Sequence, residues 1–409
     1  MMVLNSLDAL VDSNPSFNLQ EKGEYSFLLK LVRRIQCGTL VICMPDGGKE
    51  SFSGPNPGPK AMIKILNPRI VRRILFWGSI GFAEGYINND WSSDDLAKLL
   101  ELISLNIRAW KSAGNGSRFN FSLNKLIHYF RPNSIHGSRR NIAAHYDLGN
   151  EFYRLWLDDS MSYSSGLFEG KEISLEDAQR CKSDRLLNLL EISPEDNLLE
   201  IGSGWGRFAI YAAKQTNCKV KAVTISSAQY NESLIFHKNN NESSKVEFLL
   251  QDYRDIVGQF DRIVSVEMIE AVGERYWELY FKRLRSLLRP GGKVVLQAIT
   301  IDESAYSNYR SSVDFIQKYI FPGGMLPTRS LLMQLVSNNG FKWVHDKSHA
   351  DDYAKTLLAW RERFENALPE IKKMGFDDRF CRTWKYYLSY CEAGFRTKRT
   401  NVHQILLSG

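Results

Sequence analysis

The chain has 409 residues, more than one compact core usually holds, since cores rarely grow past ~250–300 residues, so two domains are expected. Its 44% apolar and 24% charged fractions exclude wholesale disorder, and a formal charge of +7 is too mild to point to nucleic acid. No stretch approaches the ~20 apolar residues of a spanning helix; the most apolar run, Ile74–Phe82, is far shorter, so any membrane contact is expected to be peripheral.

The N-terminus lacks a basic start followed by an apolar core, so no signal peptide is expected. Cys37, Cys43, Cys181, Cys218, Cys381 and Cys391 form no C-x-x-C pair and no metal-ligand spacing, and fit reduced thiols in a cytoplasmic protein. Residues 1–115 read as a small mixed domain. Thr39–Met44 is a β-branched apolar stretch that breaks at the turn Pro45-Asp46-Gly47-Gly48. A Gly/Pro-rich loop over 54–59 follows, then a strand candidate, Ala61–Leu66. Trp91–Ile107 is expected to be a helix capped by Ser92 or Ser93, with Asp94 and Asp95 in its first turn and Leu96, Leu99, Leu100 and Ile103 on one face. Residues 116–140 are expected to form a basic linker. From Leu105 to Tyr146 there are seven Lys and Arg, among them Arg108, Arg139 and Arg140, and no Asp or Glu. Such a field suits either a solvated linker or an anionic partner.

Residues 141–409 alternate strand and helix, with strand candidates at Asn197–Ile201, Lys219–Ile225, Val246–Leu250, Phe260–Val266, Gly292–Ala298, Phe341–His345 and Val402–Leu407. That alternation implies an α/β fold with a doubly wound, mostly parallel Rossmann-like sheet. The first strand ends in Glu200-Ile201-Gly202-Ser203-Gly204-Trp205-Gly206. Its G-x-G-x-G spacing is not the G-x-G-x-x-G of dinucleotide loops. It resembles the S-adenosylmethionine loop of class I methyltransferases, whose last strand runs antiparallel. Thr224 and Gln229 after the second strand, and Gln251 and Asp252 after the third, would flank that loop and face the ribose and adenine.

Several ordered segments together resemble the cyclopropane-fatty-acid synthases: His145–Asn150, Met161-Ser162-Tyr163-Ser164, the glycine loop, Thr224-x-Ser226, Gln251–Arg254, Asp261–Ser265 and Lys318–Gly324, with Met44–Gly47 and Gly81–Tyr86 in the smaller domain. The resemblance implies an enzyme in which the π electrons of an acyl double bond attack the sulfonium methyl group. A bound bicarbonate then takes a proton. It places Tyr163 and Ser164 with Glu200, Gly202, Ser203, Gly204, Thr224, Gln229, Gln251 and Asp252 around the cofactor. It also assigns Ser165, Glu270, Gln297, Tyr353 and Ile299 to the bicarbonate site. The family has Cys and His where this chain has Ser165 and Gln297, so the imidazole charge is absent and bicarbonate is in doubt.

The expected function is therefore methyl transfer to unsaturated acyl chains of phospholipids, giving a cyclopropane or a methyl-branched alkene. The alternatives are a lipid-binding relative with impaired catalysis and a methyltransferase of another small molecule. The expected partner is an anionic phospholipid surface, met peripherally at the inner face of the membrane. No nucleic acid or metal is expected, and a homodimer is left open. The aromatics Trp384, Tyr386, Tyr387 and Tyr390 suit a helix core or an acyl tunnel, and His145 and His403 suit structural or catalytic roles.

Overall fold

A computed structural model describes Tyr25 and residues 28–111, 148–239 and 245–409. The expected linker 116–140 and His145 lie outside the described residues. The chain divides into two units, Met1–Leu123 with Gly375–Thr397, and Asn124–Met374 with Lys398–Gly409. The expected catalytic span 141–409 is thus interrupted, because Gly375–Thr397 groups with the small unit.

In the small unit, β1 (Cys37–Cys43), β2 (Lys49–Ser53), β3 (Asn56–Ile65) and β4 (Trp91–Ser92) form a sheet ordered β2-β1-β3-β4. The β1–β2 turn closes where expected: Met44 N donates to Gly48 O at 2.8 Å, and Gly47 takes φ +91°. β3 starts inside the segment expected to be a loop, and its prolines sit beside a register shift against β1, where missing N–H groups cost least. A kinked helix, α1 (Arg69–Ile87), lies outside the expected set. The helix α2 (Leu96–Lys111) begins later than expected: Asp95 accepts from Lys98 N at 3.0 Å and acts as the cap, while Trp91 and Ser92 pair with β3. The Asp378–Arg396 helix belongs here because its aromatic face packs on this unit. Tyr386 lies 5.8 Å from Tyr86 between ring centroids, and Arg382 Nε donates to Tyr86 O at 2.6 Å. Trp384, Tyr386 and Tyr387 are buried, as a helix core requires.

The large unit holds seven strands: β5 (Asn197–Ile201), β6 (Lys219–Thr224), β7 (Val246–Leu250), β8 (Phe260–Val266), β9 (Leu288–Ile301), β10 (Lys342–Ser348) and β11 (Thr400–Ser408). Their order is β10-β11-β9-β8-β5-β6-β7, and only β11 runs antiparallel to its neighbours. Arg289-Pro290-Gly291 is an irregularity within β9, where the register jumps from Phe260↔Leu288 to Arg262↔Lys293, so the strand begins before the expected Gly292. Both faces are covered. Leu198, Val220, Val264 and Val295 sit in one apolar cluster, and Leu199, Val223, Ile263 and Val294 in the other. This is why the strands are apolar runs rather than alternating ones. Chain order reverses between β6 and β8 on either side of β5, which puts a crevice at the carboxyl ends of these strands.

Candidate active site

The loop leaving β5 turns through Gly202 (φ +82°), Gly204 (φ +52°) and Gly206 (φ +77°). Gly202 N and Ser203 N both donate to Val223 O at 3.0 Å, which ties the loop to β6. A Cβ at Gly204 would meet open space, so the backbone there is presented to a ligand. Behind the loop, Glu200 Oε2 and Ser203 Oγ are buried without a hydrogen-bond partner among the described residues. Burial pushes the Glu200 carboxyl up to about 8. An acceptor and a hydroxyl left unsatisfied beside a glycine cradle fit the amino acid end of S-adenosylmethionine. Ser164 Oγ accepts from the buried Lys182 Nζ at 2.9 Å, and Lys182 also donates to Gln179 Oε1 at 2.7 Å. Burial lowers that ammonium to about 8.

The residues expected at the ribose and adenine are partly engaged with the chain itself. Thr224 Oγ1 donates to Gln229 Oε1 at 2.9 Å. Asp252 accepts from Arg254 Nε at 2.8 Å and Nη2 at 2.6 Å. Gln251 N donates to Thr224 O at 3.0 Å, which keeps the two strand ends together.

The second half of the site lies at the ends of β8 and β9. Ser165, Gln297 and Tyr353 converge, and what they hold is the side chain of Glu267. Ser165 N donates to Glu267 Oε1 at 2.9 Å, Gln297 Nε2 to the same oxygen at 2.8 Å, and Tyr353 Oη to Oε2 at 2.6 Å. The Ser165 hydroxyl turns away and bonds Gly166 O at 2.9 Å. Glu267 has φ +48°, rare for a side-chain-bearing residue, and its N–H bonds Gln297 O at 2.7 Å. Burial raises its pKa, and the bonds from Tyr353, Ser165 N and Gln297 oppose the rise. Glu270, three residues on, accepts from Ile299 N, while its Oε2 is buried without a hydrogen-bond partner among the described residues. Burial, with repulsion from Glu267 second, pushes Glu270 up to about 8. Two carboxyl groups with raised pKa values in one crevice are candidates for proton transfer.

Residues 134–405 match the family described as mycolic acid cyclopropane synthetase. The chain belongs to this family. It is similar to a tuberculostearic acid methyltransferase of Mycobacterium tuberculosis, 39% identical over 354 residues that cover 82% of this chain and 80% of that one. It is also 34% identical to a cyclopropane-fatty-acyl-phospholipid synthase of Escherichia coli over 368 residues, covering 86% of this chain and 89% of that one. A crystal structure of a mycolic acid cyclopropane synthase with S-adenosylhomocysteine superposes with a TM-score of 0.62 at 28% identity, covering 66% of this chain and 98% of that one. The chain is accordingly an S-adenosylmethionine-dependent methyltransferase of unsaturated fatty acyl chains, with a class I fold.

For a cyclopropane synthetase family member, Glu267 is the residue that sequence reasoning missed. The available signal was a second acid three positions before Glu270, at the exit of a buried strand. Gln404 on β11 was also missed: its Nε2 donates to Gln297 Oε1 at 2.9 Å and so turns the Gln297 amide nitrogen toward Glu267. Thr356 Oγ1 accepts from Gly166 N at 3.0 Å and holds the loop that carries Ser165. Aromatic rings cluster beside the carboxyls. Tyr163 lies 5.4 Å from Trp360 and 6.5 Å from Phe321 between ring centroids, and Tyr353 lies 6.2 Å from Trp360. Their π faces can steady a cation. His403 Nδ1 pairs with Asp346 Oδ1 at 2.8 Å across β10 and β11, a structural pairing. Among the described residues no group of His, Cys, Asp or Glu could hold a metal ion, and no helix is long and apolar enough to cross a membrane.

Proposed function

We propose that this enzyme methylates the double bond of a monounsaturated acyl chain of a membrane phospholipid, and that the Glu267 carboxylate does the work bicarbonate does in the cyclopropane synthases. The relatives named for tuberculostearic acid and for acyl phospholipid support the substrate class. S-Adenosylmethionine supplies an electrophilic methyl group. In the reaction the alkene π pair forms a new C–C bond to that methyl, the C–S bond breaks, and positive charge is left on the acyl chain. Tyr163, Trp360 and Phe321 present π faces to that charge. Glu267 accepts one proton from the chain, and the C–H pair becomes the new double bond. The product is a methyl-branched alkene.

The observation that carries this reading is the convergence of Ser165 N, Gln297 Nε2 and Tyr353 Oη on Glu267. These three residues are among those the resemblance assigns to an exogenous anion, and here a tethered carboxylate receives their hydrogen bonds. With the Glu267 carboxylate already taking these hydrogen bonds, a free anion would lack them and would face its charge, so bicarbonate is not needed and is disfavoured. The reading places the enzyme peripherally on the anionic inner face of the membrane that presents the acyl chains. The test is turnover in buffer stripped of bicarbonate, then with bicarbonate restored. Equal rates are expected, and a large stimulation by added bicarbonate would remove Glu267 from the role.

A further inference from the structure

The most apolar run of the sequence does not cross a membrane, yet the fold leaves part of it in water. α1 is two helical arms that meet at Gly78 (φ 55°, ψ −129°). A Cβ at Gly81 would lie 2.0 Å from Arg73 O. In a straight helix those positions are roughly 12 Å apart along the axis, so the arms fold back on each other. Their base is pinned: Asp90, fully buried, accepts from Arg73 Nε at 2.7 Å and pairs with Arg69 at 3.3 Å, and Arg73 also pairs with Glu84 at 3.6 Å. The tip carries Leu75, Phe76 and Trp77, which are 43%, 61% and 46% exposed.

Three large apolar side chains in succession at a turn are costly to leave in water unless something covers them. The charge around them says what. Between Arg69 and Ser79 there are three arginines and no acid; Arg69 and Arg73 pair with Asp90 at the base, and Arg72 is exposed on the arm that leads to the tip. Aromatic and aliphatic side chains flanked by arginine match the headgroup–acyl boundary of an anionic bilayer, where rings sit at the interface and guanidinium groups meet phosphates.

We propose that the Leu75–Trp77 tip of α1, with Arg72 exposed on the arm that leads to it, is the element of the small unit that inserts into the interface of an anionic phospholipid bilayer. This rests on the reading that the substrate is presented by a membrane. A pinned hairpin inserts its tip without rearranging its base, so binding needs no refolding of the small unit. The insertion is shallow, since the tip is a single turn.

The full-length chain is tested against vesicles of phosphatidylcholine containing about 30% phosphatidylglycerol, and against phosphatidylcholine alone. The wild type should sediment with the anionic vesicles and release in high salt. Phe76→Ser/Trp77→Ser should bind at least about tenfold more weakly, and Arg72→Gln should weaken the preference for anionic lipid. Methylation of detergent-dispersed acyl substrate should be unchanged in the Phe76→Ser/Trp77→Ser variant, which also shows that the chain folds. If the wild type binds and this variant binds equally well, the tip is not the anchor, although the membrane reading stands. If the wild type ignores vesicles, the membrane reading itself fails. If the variant instead turns a dimer into a monomer in sedimentation, the tip is an interface between copies of this chain, which also overturns the proposal.

Discussion

Tyr353 donates its phenolic hydrogen to Glu267 Oε2 at 2.6 Å, although neither the position nor the charge of Glu267 figures in the family pattern from which Tyr353 is inferred. The bond joins a helix to the end of β8 and fixes one oxygen of a buried carboxylate. Gln297 and Ser165 N fix the other. A carboxylate oriented from both sides keeps one lone-pair direction free, so in the proposed reaction a change at any of these donors reaches the proton-transfer step.

Glu267→Gln keeps the shape of the side chain and removes its basicity. S-Adenosylmethionine binding by calorimetry should be close to that of the wild type, while the rate of methylated product formation should fall by about a hundredfold or more, the usual contribution of a general base. Retention of a wild-type rate would rule Glu267 out as the base.

Tyr353→Phe deletes one of the bonds that favour the ionised form of Glu267. Burial already raises that pKa, and losing the phenolic hydrogen raises it further. In the proposed reaction the carboxylate is the active form, so the acidic limb of the kcat/KM profile should move to higher pH. A limb that stays in place, or moves to lower pH, contradicts this assignment.

Gly202→Val should abolish cofactor binding. The position has φ +82°, and a Cβ would sit 2.9 Å from Met268 Cγ, so a branched side chain strains the loop and displaces its neighbour. Calorimetric binding equal to the wild type would mean the loop does not cradle the cofactor.

The parts of the sequence that speak clearly are those with short-range physical causes. The central strands of the large unit carry apolar runs, such as Leu198-Leu199 in β5 and Val294–Leu296 in β9, and the glycine loop declares itself because positive φ angles need glycine. α1 is harder to read because Gly78 breaks its periodicity in mid-helix and its apolar tip faces water. The Asp378–Arg396 helix is assigned to the wrong unit by chain order, since only three-dimensional packing of Tyr386 and Arg382 on the small unit reveals its place. Glu267 is silent for a similar reason. A carboxylate after a strand is ordinary in sequence, and only the fold shows Ser165, Gln297 and Tyr353, distant in sequence, meeting at its oxygens.

Glu270 gives a stability prediction with a definite sign. Its carboxyl is pushed from 4.5 up to about 8 by burial and by Glu267. The folded chain therefore holds a proton that the unfolded chain has released. The stability this contributes is fully present below pH 4.5 and is lost as pH rises through about 8. Glu270→Gln removes the titration, so its melting temperature relative to the wild type, without cofactor, should rise by roughly 2–4 °C for each kcal/mol relieved between about pH 5.5 and about pH 8.5. A difference that does not change with pH would mean that Glu270 is not buried as a neutral acid.

The last prediction is the product. After methyl transfer the acyl chain carries a cation that must lose one proton. Ring closure takes that proton from the newly added methyl group and needs a base beside that methyl. Loss from a neighbouring chain carbon gives a methyl-branched alkene instead. In the cyclopropane synthases, the resemblance implies, the base is a small diffusible anion. Here the carboxylate is tethered at a strand end and held by Tyr353, Gln297 and Ser165 N, so it cannot follow the methyl group. A fixed base selects whichever hydrogen the bound chain presents to it. Both products have the same mass, so proton NMR of lipid from cells expressing the chain decides. A vinyl or methylene signal without far-upfield ring protons is expected. Ring protons without an alkene signal would show that the tethered carboxylate reaches the added methyl after all, and the reaction would then be cyclopropanation.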